Sequence, residues 1–219
     1  MSSLDLGVLV SGSGTNLQAI LDAVQAGRLD ARVRVVVSNR AEAQGLARAA
    51  AADVPTRVVS HRDYPDRPSF DRALVGVLRD AGVRWVVLAG FMRIVTAELL
   101  DAFPQRVINI HPSLLPAFPG VDAQAQALAY GVRVTGCTVH LVDAGTDTGP
   151  IVGQRAVPVL DGDDRAALAA RILEQEHALL VEVLQGVAAG RLRVEPGEGG
   201  RARAHLALDG GRDGGQGAP

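Results

Sequence analysis

Asn109 and His111 are the polar side chains whose types and spacing could do chemistry. They alternate with Ile108 and Ile110 in the apolar segment Val107–His111, which has the composition of a buried strand. Because side chains alternate along a strand, Asn109 and His111 share one face. Two buried polar groups need hydrogen-bond partners. The ordinary interpretation is a satisfied pair in the core, and the alternative is a binding site at the end of the strand.

An amide and an imidazole suit a reaction in which negative charge develops on an oxygen. Acyl transfer passes through a tetrahedral oxyanion, which hydrogen-bond donors stabilise. An imidazole needs a carboxylate neighbour to be largely protonated at neutral pH. Asp147, on the glycine-flanked loop 143–149, is a candidate for that carboxylate. Its ordinary role would be that of a turn residue, and the sequence alone does not bring it to His111.

The segment Ser11–Leu17 joins a predicted strand to a predicted helix and contains two glycines. Small residues let the backbone approach a ligand, and the N–H groups at the start of a helix attract an anion. This segment, with Thr15 and Asn16 as further side-chain donors, could therefore bind a phosphate monoester, and a simple tight turn is the alternative. The segment is not a dinucleotide fingerprint, because Leu17 stands where the third glycine would be. No Gly-Lys-Ser/Thr follows, which excludes a P-loop.

Short apolar runs alternate with helical patterns through the first half of the chain. This alternation predicts an α/β fold: a single domain with a doubly wound, mostly parallel, Rossmann-like sheet. In such sheets ligands bind outside the carboxyl ends of the strands, which favours a functional role for Asn109 and His111. The strands are predicted at Leu6–Val10, Val33–Val37, Thr56–Ser60, Trp85–Ala89 and Val107–His111.

The C-terminal half has a different pattern. Val134–Val142 alternates like a half-exposed strand, and Ile151–Val159 predicts an antiparallel partner for it. A long amphipathic helix follows at Ala166–Val187. Glycine becomes frequent after Pro196, so we expect a domain of residues 1–195 and a mobile, Gly-rich tail of residues 196–219. Within that tail, Ala204–Leu208 is a candidate edge strand.

Composition narrows the function classes. The net charge of -2 argues against nucleic acid as a partner, and no apolar run is long enough to span a membrane. The first residues lack the features of a signal peptide, so a cytoplasmic protein is expected. Cys137 is the one cysteine, which excludes an internal disulfide and a Cys-rich zinc site, and the histidines show no metal-ligand spacing. Cys137 itself is interpreted as a small buried side chain.

Four motifs together resemble the folate-dependent formyltransferases. The most distinctive is Asn109–Pro116 followed by Gly120, which is similar to the signature of that family. The other segments resemble the members that act on glycinamide ribonucleotide, and the match runs from about residue 5 to residue 195. These segments are Ser11–Gln18, Leu88–Arg93 and Gln175–His177.

The resemblance implies an enzyme of one-carbon metabolism. Its reaction would transfer a formyl group from 10-formyltetrahydrofolate, as co-substrate, to the amine of glycinamide ribonucleotide in purine biosynthesis, without a metal. Asn109 would donate to the formyl oxygen, and a positively charged His111 would stabilise the oxyanion. Asp147 would pair with His111 and relay a proton. The protein would be a monomer or a homodimer.

The resemblance also implies binding residues. Gly14, Thr15 and Asn16 match the phosphate-binding segment, and Glu176 matches a carboxylate at the glycinamide end of the acceptor. Arg67 matches a residue near the benzoylglutamate end of the folate. Val95 departs from the family in being smaller than the expected leucine. The pterin side of the folate would contact Met92, Arg93, Ile94, Val95, Asn109 and the loop residues Asp143, Ala144, Gly145, Thr146 and Asp147.

Two other functions remain as alternatives. A formyltetrahydrofolate deformylase shares the Asn–His–Asp chemistry, but it is expected to carry a regulatory domain before the first strand. From another class, a non-catalytic nucleotide-binding module would have the same sheet without needing Asn109, His111 and a carboxylate loop.

Overall fold

One mixed sheet forms the centre of the protein. A computed structural model describes residues 3–207. The strands of this sheet are β1 (Leu4–Val10), β2 (Ala31–Ser38), β3 (Thr56–Val58), β4 (Trp85–Leu88), β5 (Val107–His111), β6 (Val134–Leu141) and β7 (Ile151–Pro158).

The strand order across the sheet is β3-β2-β1-β4-β5-β6-β7. The pairs from β3 to β5 are parallel, whereas β5–β6 and β6–β7 are antiparallel. The order reverses between β1 and β4, which is the switch point where such sheets bind ligands. The predicted α/β fold, mostly parallel with antiparallel strands in the C-terminal half, is therefore confirmed.

Helices cover both faces of the sheet. One apolar cluster joins the sheet to α1 and α6, and a second joins the other face to α3 and α4. Helix α6 begins after Asp164, whose Oδ1 accepts a hydrogen bond from the Ala167 N–H at 2.7 Å. The helices are α1 (Thr15–Gln25), α2 (Gln44–Ala51), α3 (Arg67–Asp80), α4 (Ala97–Ala102), α5 (Ala123–Tyr130) and α6 (Arg165–Ala188).

Two features differ from the sequence-based expectation. The predicted half-exposed strand, β6, is buried at every position after Val134. It is an interior strand between β5 and β7, and α6 packs on it, so alternating composition did not mean an exposed face. Helix α5 was not predicted, because its Ala/Gln sequence has little amphipathic pattern. The flanking Asp122 and Gly131, both left-handed, were the available signal.

A small hairpin follows α6. Strands β8 (Leu192–Pro196) and β9 (Ala202–Leu206) pair antiparallel, so the candidate edge strand begins two residues earlier than expected. Leu206 packs closely on α6 at Gly186. A Cβ added to this glycine would lie only 2.7 Å from Leu206 Cδ1. The hairpin crosses the predicted boundary at residue 196. The expected mobility of the tail stays a prediction, and residues 208–219 lie outside the described part of the chain.

Within residues 3–207, no helix combines the length and the apolar character needed to cross a bilayer.

Candidate active site

Asn109, His111 and Asp147 come together at the carboxyl end of β5. Antiparallel pairing sets Asn109 opposite His140 of β6, and the loop after β6 carries Asp147 back to the same point. His111 Nδ1 lies 3.4 Å from Asp147 Oδ2, and His140 Nε2 lies 3.6 Å from Asp147 Oδ1. One carboxylate therefore stands between two imidazoles. Asn109, His111 and Asp147 are hereafter called the Asn–His–Asp cluster.

His111 is buried and held at both ring nitrogens. Its Nε2 lies 2.9 Å from the carbonyl oxygen of Phe118, which can only accept, so Nε2 carries a hydrogen. Nδ1 faces the Asp147 carboxylate, and a second proton there gives a charged imidazolium paired with Asp147. Only this protonated form is a donor at both nitrogens.

The Asp147 side chain is held as a carboxylate. Burial by itself would raise its pKa, but the contact with the charged form of His140 and the hydrogen bond from the Gly120 N–H outweigh it. The charge of His111 acts in the same direction, so the pKa lies below the ordinary value of an aspartate. The Gly120 N–H donates to Oδ2 at 2.7 Å, and the Asp147 backbone has a left-handed φ of 55°.

His140 is the polar neighbour that the sequence pattern only indicated, through its alternation with apolar residues on β6. Its Nδ1 lies 2.9 Å from the Leu141 carbonyl oxygen, so Nδ1 carries a hydrogen. When His140 is neutral, its Nε2 can therefore accept from Asn109 Nδ2, at 3.1 Å. In this neutral form of His140, the contact orients the Asn109 amide and leaves its second N–H for another acceptor.

A cavity of about 110 Å³ opens beside the cluster. Its lining includes Asn109 and Asp147. It also includes six other residues expected on the pterin side of the folate: Arg93, Ile94, Val95, Asp143, Gly145 and Thr146. Ala144 belongs to the same loop but does not line the cavity. Met92 is exposed, and its N–H donates to Ser11 Oγ at 2.8 Å. Arg67 lies at the first turn of α3, outside the lining.

The glycine loop, Ser11–Gly14, leads from β1 into α1. Gly14 is left-handed at φ 69° and contributes no side-chain cap to the helix. The N–H groups of the first turn, which have no partner within the helix, remain available to a ligand. Ser11 joins the loop to the end of β4, since its N–H donates to the Gly90 carbonyl at 3.1 Å. Because β1, β4 and β5 are consecutive strands of the sheet, their carboxyl ends lie side by side.

Glu176 reaches the start of α1 from the middle of α6. Asn16 Nδ2 donates to Glu176 Oε2 at 3.0 Å, and both side chains are buried. Burial raises the pKa of Glu176, and the Asn16 hydrogen bond offsets this only in part. Asn16 Oδ1 is buried and has no hydrogen-bond partner among the described residues. A ligand that donates a hydrogen bond at this point would satisfy this oxygen.

Two further residues have structural roles only. Burial, and secondly the charge of Glu176, raises the pKa of the Cys137 thiol to about 12, so this cysteine is not an activated nucleophile. Ser113 Oγ donates to the Ala117 carbonyl at 2.5 Å and is fully buried. Across residues 3–207, no group of three or more His, Cys, Asp or Glu side chains could hold a metal ion.

Comparison with known proteins identifies the family. The profile of the family described as formyl transferase matches residues 5–184. Phosphoribosylglycinamide formyltransferase of Mycobacterium tuberculosis is 49% identical over 181 residues, which are 83% of each chain. Among solved structures, glycinamide ribonucleotide transformylase 1 from Symbiobacterium toebii has a TM-score of 0.89 and 52% identity over 95% of each chain.

Longer relatives match only in part. The trifunctional purine biosynthetic protein adenosine-3 of Homo sapiens is 44% identical over 194 residues, or 89% of this chain. The chain spans 14% to 20% of the length of the two such proteins from Drosophila pseudoobscura pseudoobscura and Gallus gallus. The fold, the site and these matches define the class: the chain belongs to the formyl transferase family. Within that family, it is similar over most of its length to phosphoribosylglycinamide formyltransferases.

Proposed function

We propose that this protein transfers a formyl group from 10-formyltetrahydrofolate to the amine of glycinamide ribonucleotide, in the cytoplasm, as a monomer or a homodimer. The observation that carries the proposal is the Asp147 carboxylate beside His111, with Asn109 on the same strand. This arrangement supplies hydrogen-bond donors and a proton relay at one point. Direct acyl transfer to an amine requires both.

The reaction assigns a task to each member of the cluster. The acceptor amine attacks the formyl carbon, and the carbonyl becomes a tetrahedral oxyanion. Asn109 Nδ2 donates to this oxyanion, and the positive charge of His111, whose two N–H groups face the Phe118 carbonyl and Asp147, stabilises it electrostatically. The Asp147 carboxylate accepts the proton that the amine loses, through water, and returns it to the folate nitrogen as the C–N bond to that nitrogen breaks. Formylglycinamide ribonucleotide and tetrahydrofolate are released.

The spacing of the strand ends supports the acceptor. The glycine loop follows β1, and Asn109 lies on β5, two strands away in the sheet. Neighbouring strands are separated by about 4.8 Å, so the two ends lie roughly 10 Å apart. A phosphate at the helix start would leave the ribose and glycinamide to cross that gap. The amide of the acceptor would meet Glu176 and the partnerless Asn16 Oδ1.

The cavity beside the cluster supports the donor. Its volume of about 110 Å³ is below the range of whole-ligand pockets, so it suits one ring system of the folate. The rest of the molecule would extend over the exposed Met92 and Ile94 towards Arg67. A guanidinium at that end suits the folate carboxylates.

The test is an activity assay with a choice of acceptor. Purified protein is given 10-formyltetrahydrofolate with glycinamide ribonucleotide or with water alone, and release of tetrahydrofolate is followed. Release only with the nucleotide is the expected result. Release without it would identify a deformylase instead. No release in either case, with nucleotide binding retained, would identify a non-catalytic binding module. Analytical ultracentrifugation of the same sample measures the assembly state.

A further inference from the structure

The glycine loop is held in place by α2. The Gly45 N–H donates to the Gly12 carbonyl oxygen at 3.1 Å, and Arg48 Nε donates to the Ser13 carbonyl oxygen at 2.7 Å. The two backbones are in close contact, since a Cβ on Gly14 would lie 2.5 Å from the Gly45 Cα. Two consecutive carbonyl groups of the loop are therefore bound to α2.

This arrangement determines which groups the loop can offer to a ligand. Carbonyl oxygens repel an anion, and here those of Gly12 and Ser13 are occupied by donors of α2. The N–H groups at the start of α1 have no carbonyl partner within the helix. The Arg48 hydrogen bond thus supports an orientation of the loop in which N–H groups, rather than carbonyl oxygens, are free to face a phosphate.

Arg48 also brings a positive charge to this point. Its NH1 donates to Gln18 Oε1 at 3.2 Å, so the guanidinium links α2 both to the loop and to α1. Among residues 3–207, neither this contact nor that to Ser13 involves a carboxylate, and Arg48 forms no salt bridge. Arg48 and Thr15 line the same cavity, of about 790 Å³, between α1 and α6. The same lining includes the carboxylates of Asp22, Glu174 and Glu182, but among the described residues Arg48 is not paired with any of them. Its charge therefore lies beside the glycine loop without a direct carboxylate partner.

We propose that Arg48 is a positioning residue that gives the enzyme its preference for a phosphorylated acceptor. It orients the glycine loop through the Ser13 carbonyl and adds favourable charge at the same end of α1. This inference rests on the proposed formyl transfer and extends it, because it identifies a determinant of the acceptor's phosphate outside the loop itself. Arg48 need not touch the reacting atoms, so its effect should appear in binding rather than in turnover.

The decisive experiment compares two acceptors that differ only in the phosphate. Kinetics are measured for wild type, Arg48→Gln and Arg48→Lys with glycinamide ribonucleotide and with glycinamide riboside. Arg48→Gln should raise KM for the nucleotide about tenfold, the size expected for a charge-assisted contact. The kcat, the KM for folate, and kcat/KM for the riboside should change less than about twofold. Arg48→Lys should give an intermediate KM, because it keeps the charge but loses the planar Nε–H.

Arg28→Gln is the matched control. Arg28 is an exposed cation that lines the same cavity as the partly buried Arg48, and no hydrogen bond joins it to the glycine loop in the described structure. Its replacement should leave unchanged the ratio of kcat/KM for the nucleotide to kcat/KM for the riboside. Equal losses with nucleotide and riboside in Arg48→Gln would show a general structural role and overturn the inference, as would an unchanged nucleotide KM.

A binding measurement separates this inference from the proposed function. Inorganic phosphate should raise the Tm of wild type more than that of Arg48→Gln, with circular dichroism showing that the variant is folded. If wild type binds phosphate in this way but transfers no formyl group, only the proposed function fails. If transfer occurs and phosphate raises both Tm values equally, only the role of Arg48 fails. Should Arg48→Gln not fold, Arg48→Lys provides the same two comparisons.

Discussion

The glycine loop and the Asn–His–Asp cluster lie at the carboxyl ends of β1 and β5, two strands apart in the sheet, and are built differently. The loop is one continuous segment, and the groups proposed to bind the phosphate are backbone N–H groups positioned by a left-handed glycine and by α2. The cluster combines side chains of β5 with a carboxylate 36 positions further along the chain (147 − 111 = 36). The loop needs a particular backbone conformation, whereas the cluster needs particular protonation states. Substitutions should therefore affect binding in the first region and turnover in the second.

The largest effect is expected at His111. His111→Asn removes the charged imidazole beside Asp147 and should lower kcat roughly 100- to 1,000-fold, the range for a lost oxyanion donor. The KM for the nucleotide should change little, because the glycine loop is untouched. Steady-state kinetics and Tm together measure this. His205→Asn, on the exposed face of β9, is the control, and near-normal turnover of His111→Asn would remove His111 from the mechanism.

Asp147→Asn should have the second largest effect and lower kcat by about 100-fold, because an amide has no negative charge to pair with His111 and does not accept a proton. It also has a predicted pH signature. The folded pKa lies below the ordinary value of 3.8, so the carboxylate stabilises the fold above that pH and stops doing so as pH falls through the folded pKa. The Tm advantage of wild type over Asp147→Asn should therefore stay constant above about pH 5 and shrink as pH falls below about 4. A constant difference would contradict this assignment.

Gly14→Ala tests the glycine loop, where binding and not turnover should be affected. The left-handed φ and the approach to Gly45 leave no room for a Cβ, so the variant should lose about 1–3 kcal/mol of unfolding free energy. Because the loop must move, KM for the nucleotide should rise more than kcat falls. Chemical denaturation and kinetics measure the two effects. Gly76→Ala, at an open helical position of α3, should instead be neutral or slightly stabilising.

Glu176→Gln should have the smallest effect on turnover. Gln keeps an acceptor for Asn16 and removes a buried charge, so we expect KM for the nucleotide to rise several-fold at most. The raised folded pKa means that wild type loses stability as pH rises from the unfolded pKa through the folded one. Glu176→Gln should therefore gain Tm relative to wild type between pH 5 and pH 8. Glu174→Gln, exposed on α6, should show no such trend.

Much of the fold could be read from the order of apolar runs. Strand β5 was predicted at its observed bounds, and β1, β2 and β4 within two residues, because buried parallel strands have continuous apolar composition. Helix α5 and the full burial of β6 could not be read in this way. Both depend on what packs against the element, and a short Ala-rich helix or an alternating strand gives little local signal about its neighbours.

The sequence by itself determined the glycine loop, because glycine spacing and the strand–helix junction are local and fix where free N–H groups occur. It also set Asn109 and His111 on one strand face through simple alternation. Only the tertiary structure brought Asp147 to His111, joined His140 to Asn109, and attached Arg48 to Ser13. Those contacts link separate segments of the chain. They depend on strand order and antiparallel register, which the composition of a segment does not specify.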